Sequence, residues 1–318
     1  MPLITSSYHA KGLFKSGHFS TIYSAKLRPI PTVIQERKRL ELSDGDFIDI
    51  DWSFSEKKTT KVAVLLHGLE GNAQRVYIKA QAKLLNKNGW DVAAMNHRGC
   101  SGEENRLYLS YNSGRTEDLE ELIAHLLKNY DYSAISLIGF SLGGNVLLKY
   151  LGEREAVPEI IKNGVAISTP LYLRGALEQL IKPENMVYSK TFINDLRRKY
   201  KRKMTYFPNA MNAEELKKIQ NLLDFDNYYT AKAHGFQDAY DYYTKSSSLQ
   251  YLPNIKVPVL ILNAQNDSFL SPECYPIEIA KNSENIYLES PKHGGHVGFH
   301  VSNKVYYSEK RTLEFIDE

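Results

Sequence analysis

Cysteine is scarce in this chain of 318 residues, which has two, Cys100 and Cys274, far apart in the sequence. Their spacing offers neither a disulfide framework nor a cysteine-based metal site and points to free thiols in a reducing compartment. Long apolar runs are missing as well. No stretch approaches the roughly 20 residues of a membrane span, and the opening residues Met1 to His9 lack the basic segment and apolar stretch of an export signal. These absences predict a cytoplasmic protein without stable membrane insertion. Charge of one sign is also lacking: the formal net charge is +3, and no aromatic-and-basic RNA-binding motif occurs. Nucleic acid is therefore not an expected partner. No internal repeat or low-complexity tract is visible.

What the chain does contain is a series of short, apolar, largely β-branched runs, at 61–66, 91–96, 135–138, 165–168 and 257–262, most of them separated by segments with helical periodicity. Strands alternating with helices across short loops predict a mostly parallel central sheet with helices on both faces, since a parallel pair needs a crossover long enough to hold a helix. Ahead of this series, Leu40 and Leu42, the turn Asp44-Gly45, and Ile48, Ile50 and Trp52 read as an antiparallel hairpin at a sheet edge. Residues 1–36, interrupted by Pro29 and Pro31, read as an arm over the body with no identifiable chemistry.

The alternation breaks after Pro170. Residues 171–245 carry helical patterns only, with Ile193, Leu196, Tyr200 and Phe207 on one face and Asn212 with Glu215 as a capping box. An excursion of this kind, leaving the sheet between two strands, predicts a helical cap inserted before the strand at 257–262. The expected organisation is an arm at 1–36, a core at 37–170 and 246–318, and a cap at 171–245. Within the cap, the basic run 197–203 reads first as a solvated helix face, with contact to anionic lipid or acidic substrate as the alternative.

One stretch carries the chemistry. In Leu137-Ile138-Gly139-Phe140-Ser141-Leu142-Gly143-Gly144-Asn145 a buried strand runs directly into a helix, which Gly152 is expected to stop, with a serine at the corner. Glycines two residues to either side allow the backbones to approach so closely that a Cβ would clash. The turn exposes the Ser141 hydroxyl at the carboxyl end of the sheet, and the first helical N–H, that of Leu142, together with the positive helix end suits an oxyanion.

A serine hydroxyl needs a base, and the base needs a group to orient it. Asp267 is the sole carboxylate in the loop leaving its strand, and His296 follows the pair Gly294-Gly295 in the loop before a terminal helix. Two further histidines, His293 and His300, lie close by, so a histidine metal site is the rival reading. Its spacing matches no familiar zinc motif, and neither cysteine nor acid completes it. The second oxyanion donor is expected from the loop after 61–66, at the Leu69 N–H. His67 reads as an organiser of that loop rather than as a base.

The motifs His67-Gly68-Leu69-Glu70-Gly71, Asn96-His97-Arg98-Gly99-Cys100-Ser101-Gly102-Glu103, Tyr111-Asn112-Ser113-Gly114, Gly139 to Asn145 and Gly294-Gly295-His296-Val297-Gly298-Phe299 resemble, in order, those of the YheT-like branch of the α/β-hydrolases, the AB hydrolase 4 family. The resemblance runs from about Ser43 to Phe299. It implies an α/β-hydrolase fold with a helical cap and a triad of Ser141, Asp267 and His296, with no cofactor or metal. Members are described mostly as esterases, and some eukaryotic relatives act on lipids or form esters by acyl transfer. One departure is Asn266-Asp267-Ser268, where the family usually has Asp-Asp-Pro, which predicts a less rigid acid loop. The expected function is hydrolysis of short- to medium-chain carboxylic esters through an acyl-enzyme on Ser141, acting on a small-molecule or lipid-like ester. Acyl transfer to an alcohol and a non-catalytic binding role are the alternatives.

Overall fold

The computed structural model describes residues 3–317. Among them the apolar runs become strands because each supplies side chains to both faces of a sheet. Along Lys61–Leu66, for example, Val62, Val64 and Leu66 join one hydrophobic cluster while Ala63 and Leu65 join another. A strand sends alternate side chains to opposite faces, so a segment apolar at every position belongs between two layers of helices.

The strands are β1 (Leu3–Ile4), β2 (Glu36–Glu41), β3 (Phe47–Ser53), β4 (Lys61–Leu66), β5 (Asp91–Asn96), β6 (Ala134–Phe140), β7 (Ile161–Ile167), β8 (Val259–Leu262) and β9 (Ile286–Glu289). They form one sheet in the order β1-β9-β8-β7-β6-β4-β5-β3-β2. All neighbours are parallel except the antiparallel pairs β2 with β3 and β3 with β5. The outer strand β2 reads Glu-Arg-Lys-Arg-Leu-Glu and is largely exposed, charges that discourage further pairing at that edge. The other edge was not foreseen. Two residues of the N-terminal arm, Leu3 and Ile4, pair in parallel with Leu288 and Glu289, a segment too short to show periodicity.

Helices α1 (Gly17–Ile22), α2 (Val76–Lys87), α3 (Glu117–Asn129) and α4 (Leu142–Glu153) precede the cap. Leu119, Leu122 and Leu126 of α3 and Val146 and Leu147 of α4 pack on one face of the sheet, while Ile78 and Leu85 of α2 pack on the other. Gly152 does not stop α4, contrary to the sequence expectation. It lies inside the helix, where a Cβ would strike the backbone of Tyr251, so it permits close packing rather than termination.

Between β7 and β8 lies the helical cap: α5 (Leu173–Leu180), α6 (Met186–Tyr206), α7 (Ala213–Lys218), α8 (Leu222–Phe225), α9 (Ala231–His234) and α10 (Ala239–Ser246). After the cap come α11 (Ile277–Lys281) and the C-terminal α12 (Tyr307–Asp317). The cap has its own apolar cluster, built from Ile193, Leu196, Tyr200, Leu222, Phe225 and Tyr229 among others. Asn212 caps α7 by accepting from the Glu215 N–H at 2.9 Å. The reciprocal half of the expected capping box is missing, because the Glu215 carboxylate turns to the Tyr200 hydroxyl, 3.0 Å away, and to Lys232.

The basic run of α6 also departs from a solvated face. Lys199 and Lys203 are one helical turn apart, 4% and 2% exposed, and point into the protein, whereas Arg198, Lys201 and Arg202 face outward. Burial lowers the Lys203 ammonium to about 8, and its Nζ donates to the Leu109 carbonyl at 3.0 Å. A run of seven mostly basic residues on a helix necessarily places some of them inward. Composition alone did not reveal which.

Candidate active site

The corner between β6 and α4 is strained as its glycines suggested. Ser141 has φ 53° and ψ −120°, a region costly to a residue with a Cβ. A Cβ on Gly139 would overlap the Gly143 carbonyl, and one on Gly143 would meet the Leu66 and His67 carbonyls at the end of β4. Only glycine lets strand, turn and neighbouring strand pack this closely. The Ser141 N–H donates to the Ile167 carbonyl at 2.9 Å, anchoring the corner to β7.

Asp267, in the loop after β8, and His296, in the loop between β9 and α12, meet across the sheet rim. His296 Nδ1 donates to Asp267 Oδ2 at 2.8 Å, and the aspartate side chain is fully buried. The other carboxylate oxygen accepts the Phe269 N–H at 3.0 Å, and the Phe269 ring lies against the imidazole with centroids 4.3 Å apart. Nδ1 is thereby committed as a donor, which leaves Nε2 available as the basic nitrogen. The neighbouring histidines have other partners. His293 bonds the Lys15 carbonyl at 2.9 Å, and His300 stacks on Phe14 at 3.7 Å. Among the described residues no group of His, Cys, Asp and Glu is arranged to hold a metal ion.

The glycines before His296 act as foreseen, and the N-terminal arm does what the sequence reading missed. Gly294 and Gly295 have φ of 151° and 59°, and a Cβ on Gly295 would strike the Gly17 carbonyl of α1. Thr21 of α1 accepts the His296 N–H at 2.8 Å, so the arm braces the imidazole-bearing loop. The acid loop is likewise tied down despite lacking the Asp-Asp-Pro sequence. Asn266 bonds the Lys15 carbonyl and the Gly295 N–H, both at 3.0 Å, and Ser268 exchanges bonds of 2.6 and 2.7 Å with Asn185 of the cap.

The loop after β4 packs directly on the corner, where a Cβ on Gly68 would lie 3.1 Å from the Ser141 Cβ. The Gly68 and Glu70 N–H groups are taken by the hydroxyls of Tyr77 and Tyr111 at 3.1 and 2.9 Å. Between them the Leu69 N–H, like that of Leu142 at the start of α4, has no acceptor among the described residues. His67 organises this loop: its Nε2 accepts the His97 N–H at 3.1 Å, so Nδ1 carries the proton to the Gly68 carbonyl at 2.8 Å. Burial holds both imidazoles well below the ordinary histidine range, His97 at about 4. Glu70, at φ 50°, accepts from Tyr111 and from Lys199 of the cap, each at 2.7 Å. The Glu70–Lys199 pair thus joins cap to loop, and only its Glu70 half lay in a recognisable motif.

Ser141, His296, Leu69 and Leu142 line a single cavity of about 130 Å³ beneath the cap, whose wall is largely leucine, phenylalanine and tyrosine. A water needs roughly 10–15 Å³ of such space, so this cavity has room for a small molecule. Residues 62–302 match the family described as alpha/beta hydrolase fold. The chain belongs to that family. Among relatives of this α/β-hydrolase, the Escherichia coli (strain K12) protein YheT, whose name assigns it esterase activity provisionally, is 32% identical over 90% of this chain and 85% of its own length. The human phospholipase ABHD3 is 28% identical over 94% of this chain and 75% of its own. The resemblance to the YheT-like branch therefore extends over nearly the whole sequence. In three dimensions the Pyrococcus furiosus esterase Pf2001 superposes with a TM-score of 0.59 over all of this chain and 97% of that one, at 18% identity, a likeness of fold. Among the described residues no helix is long and apolar enough to cross a membrane.

Proposed function

We propose that this α/β-hydrolase cleaves carboxylic esters through an acyl-enzyme on Ser141. The observation that carries the reading is the His296–Asp267 hydrogen bond of 2.8 Å beside the cavity that Ser141 also lines. In the first half-reaction Ser141 Oγ attacks the ester carbonyl carbon as His296 Nε2 takes its proton, and the carbonyl oxygen becomes an oxyanion facing the Leu69 and Leu142 N–H groups. Collapse breaks the bond to the alcohol oxygen, which leaves with the proton from His296. Water then attacks the acyl-serine by the same route, its proton passing through His296 back to Ser141, and the acid departs.

Asp267 holds the imidazole in the tautomer that leaves Nε2 free and stabilises the imidazolium during each transfer. The small, apolar cavity under the cap favours acyl chains of short to medium length on a small-molecule or lipid-like ester. The test combines fluorophosphonate labelling with hydrolysis of 4-nitrophenyl esters of graded acyl length. Labelling confined to Ser141 and turnover falling off beyond medium chains are expected. A protein that neither labels nor turns over any ester overturns the serine mechanism.

A further inference from the structure

The cavity has one charged wall residue that ester hydrolysis leaves unexplained. Asp226 opens the π-helical segment Asp226–Thr230 that joins α8 to α9, and it is half-buried, lining the cavity within the cap. Its Oδ1 accepts from the Thr230 hydroxyl at 2.7 Å and its Oδ2 from the Tyr243 hydroxyl at 2.6 Å. Among the described residues no cationic side chain pairs with it. Lys199, which lines the same cavity, is matched by Glu70 at 2.7 Å and is not available to it. Desolvation raises the Asp226 carboxyl to about 6, so near neutral pH most of the population is an anion without a counterion.

A carboxylate in an apolar wall is normally neutralised by a partner, because taking an unpaired charge out of water is costly. Here the two bonded hydroxyls leave each oxygen with a further lone pair. The rings of Phe225, Tyr229, Tyr242 and Tyr243 line the same cavity, and aromatic faces attract cations as well. Anion and aromatic rings together are the chemistry that recognises a positively charged nitrogen. We infer that the cap end of the cavity is a binding site for a cationic nitrogen borne by the substrate, with Asp226 as its counter-ion. The inference rests on the ester-hydrolase reading and narrows it: the substrate is an ester carrying an alkylammonium or quaternary ammonium group.

The test uses three butyrate esters of matched shape, those of 2-(trimethylammonio)ethanol, 2-(dimethylamino)ethanol and 3,3-dimethylbutanol, the last an uncharged isostere. The wild-type protein should prefer at least one cationic ester over the neutral one by roughly tenfold or more in kcat/KM, and the two cationic arms separate quaternary from protonated amine. In Asp226→Asn the ratio of cationic to neutral ester should fall towards one, whatever the absolute rate. An equal or better rate on the neutral isostere in wild type, or an unchanged ratio in Asp226→Asn, overturns the inference. Should the protein hydrolyse no ester, 4-nitrophenyl butyrate included, the catalytic reading fails separately. Cation recognition is then read by calorimetric binding of octyltrimethylammonium, expected at least tenfold tighter to wild type than to Asp226→Asn, and equal binding overturns it.

Discussion

Arg98 in the core and Asp226 in the cap are buried charges treated in opposite ways. In the core, Arg98 is fully buried and surrounded by acids: Asp118 at 2.7 Å, Asp44 at 2.8 Å and Asp46 at 3.2 Å. Those contacts tie the loop after β5 to the hairpin turn and to the start of α3. Arg28 of the arm pairs just as deeply with Glu309 of α12, and Arg311 with Glu289 of β9 at 2.9 Å. In the cap, Asp226 has hydroxyl donors alone. A matched buried charge holds elements in register. An unmatched one weakens the fold, and its place on a cavity wall is consistent with a ligand completing it.

The widest difference between the regions should appear in turnover. Ser141→Ala at the sheet rim is expected to lower kcat on a soluble ester by about 10³-fold or more, with the thermal midpoint little changed, because alanine fits the same turn. Retained turnover would mean that the chemistry lies elsewhere in the cavity.

Stability should distinguish matched from unmatched charge by sign. Arg98→Met removes the buried guanidinium from Asp118 and Asp46, leaving Asp118 with Arg115 at 2.9 Å and Asp46 with neutral donors alone, and should destabilise by about 3–5 kcal/mol, read from denaturant titration. A loss below about 1 kcal/mol would remove the core half of the comparison.

Asp226→Asn should act in the other direction, and only above a certain pH. The carboxyl is raised from 3.8 to about 6 in the folded state, so the folded protein holds that proton more tightly than the unfolded chain. Its favourable contribution is complete below about pH 3.8 and is lost as pH rises through about 6. Asparagine does not titrate, so the variant should gain on the order of 3 kcal/mol over wild type at pH 8 and nothing comparable at pH 4. The charged and titratable neighbours do not share the window: Tyr242 and Tyr243 are pushed upward by burial and by Asp226 itself, and Lys199 is held charged. A pH-independent difference between the two proteins would contradict the account.

The smallest effect is expected at the cap surface. Arg198→Gln with Lys201→Gln removes exposed cations from α6 without touching Lys199 or Lys203, and turnover of a soluble ester should stay within about twofold, since surface charges are screened. A tenfold change would extend the working charges of the cap to its outer face.

Much of the fold was legible because its signals are local. The strands from β4 to β8 showed as short apolar runs, and the corner at Ser141 as paired glycines whose need follows from backbone contact distance. Ser141, Asp267 and His296 were legible as candidates for the proposed triad because each stands at the carboxyl end of a strand or in the loop after one. The Thr21 brace, the inward turn of Lys199 and Lys203, and the Asn185–Ser268 link were not legible. Each joins residues distant in sequence, Thr21 and His296 by 275 positions, and nothing local to either partner indicates the other.

By itself, then, the sequence determined where most of the chain is strand or helix, that a helical segment interrupts the sheet, and which serine, acid and histidine can share a rim. It did so because periodicity and turn chemistry act over a few residues. Tertiary structure alone decided which buried charges are matched. Lys199 finds Glu70, Arg98 finds Asp118, and Asp226 finds only Thr230 and Tyr243. The free energy of a charge depends on what surrounds it in three dimensions, and a linear sequence does not contain that environment.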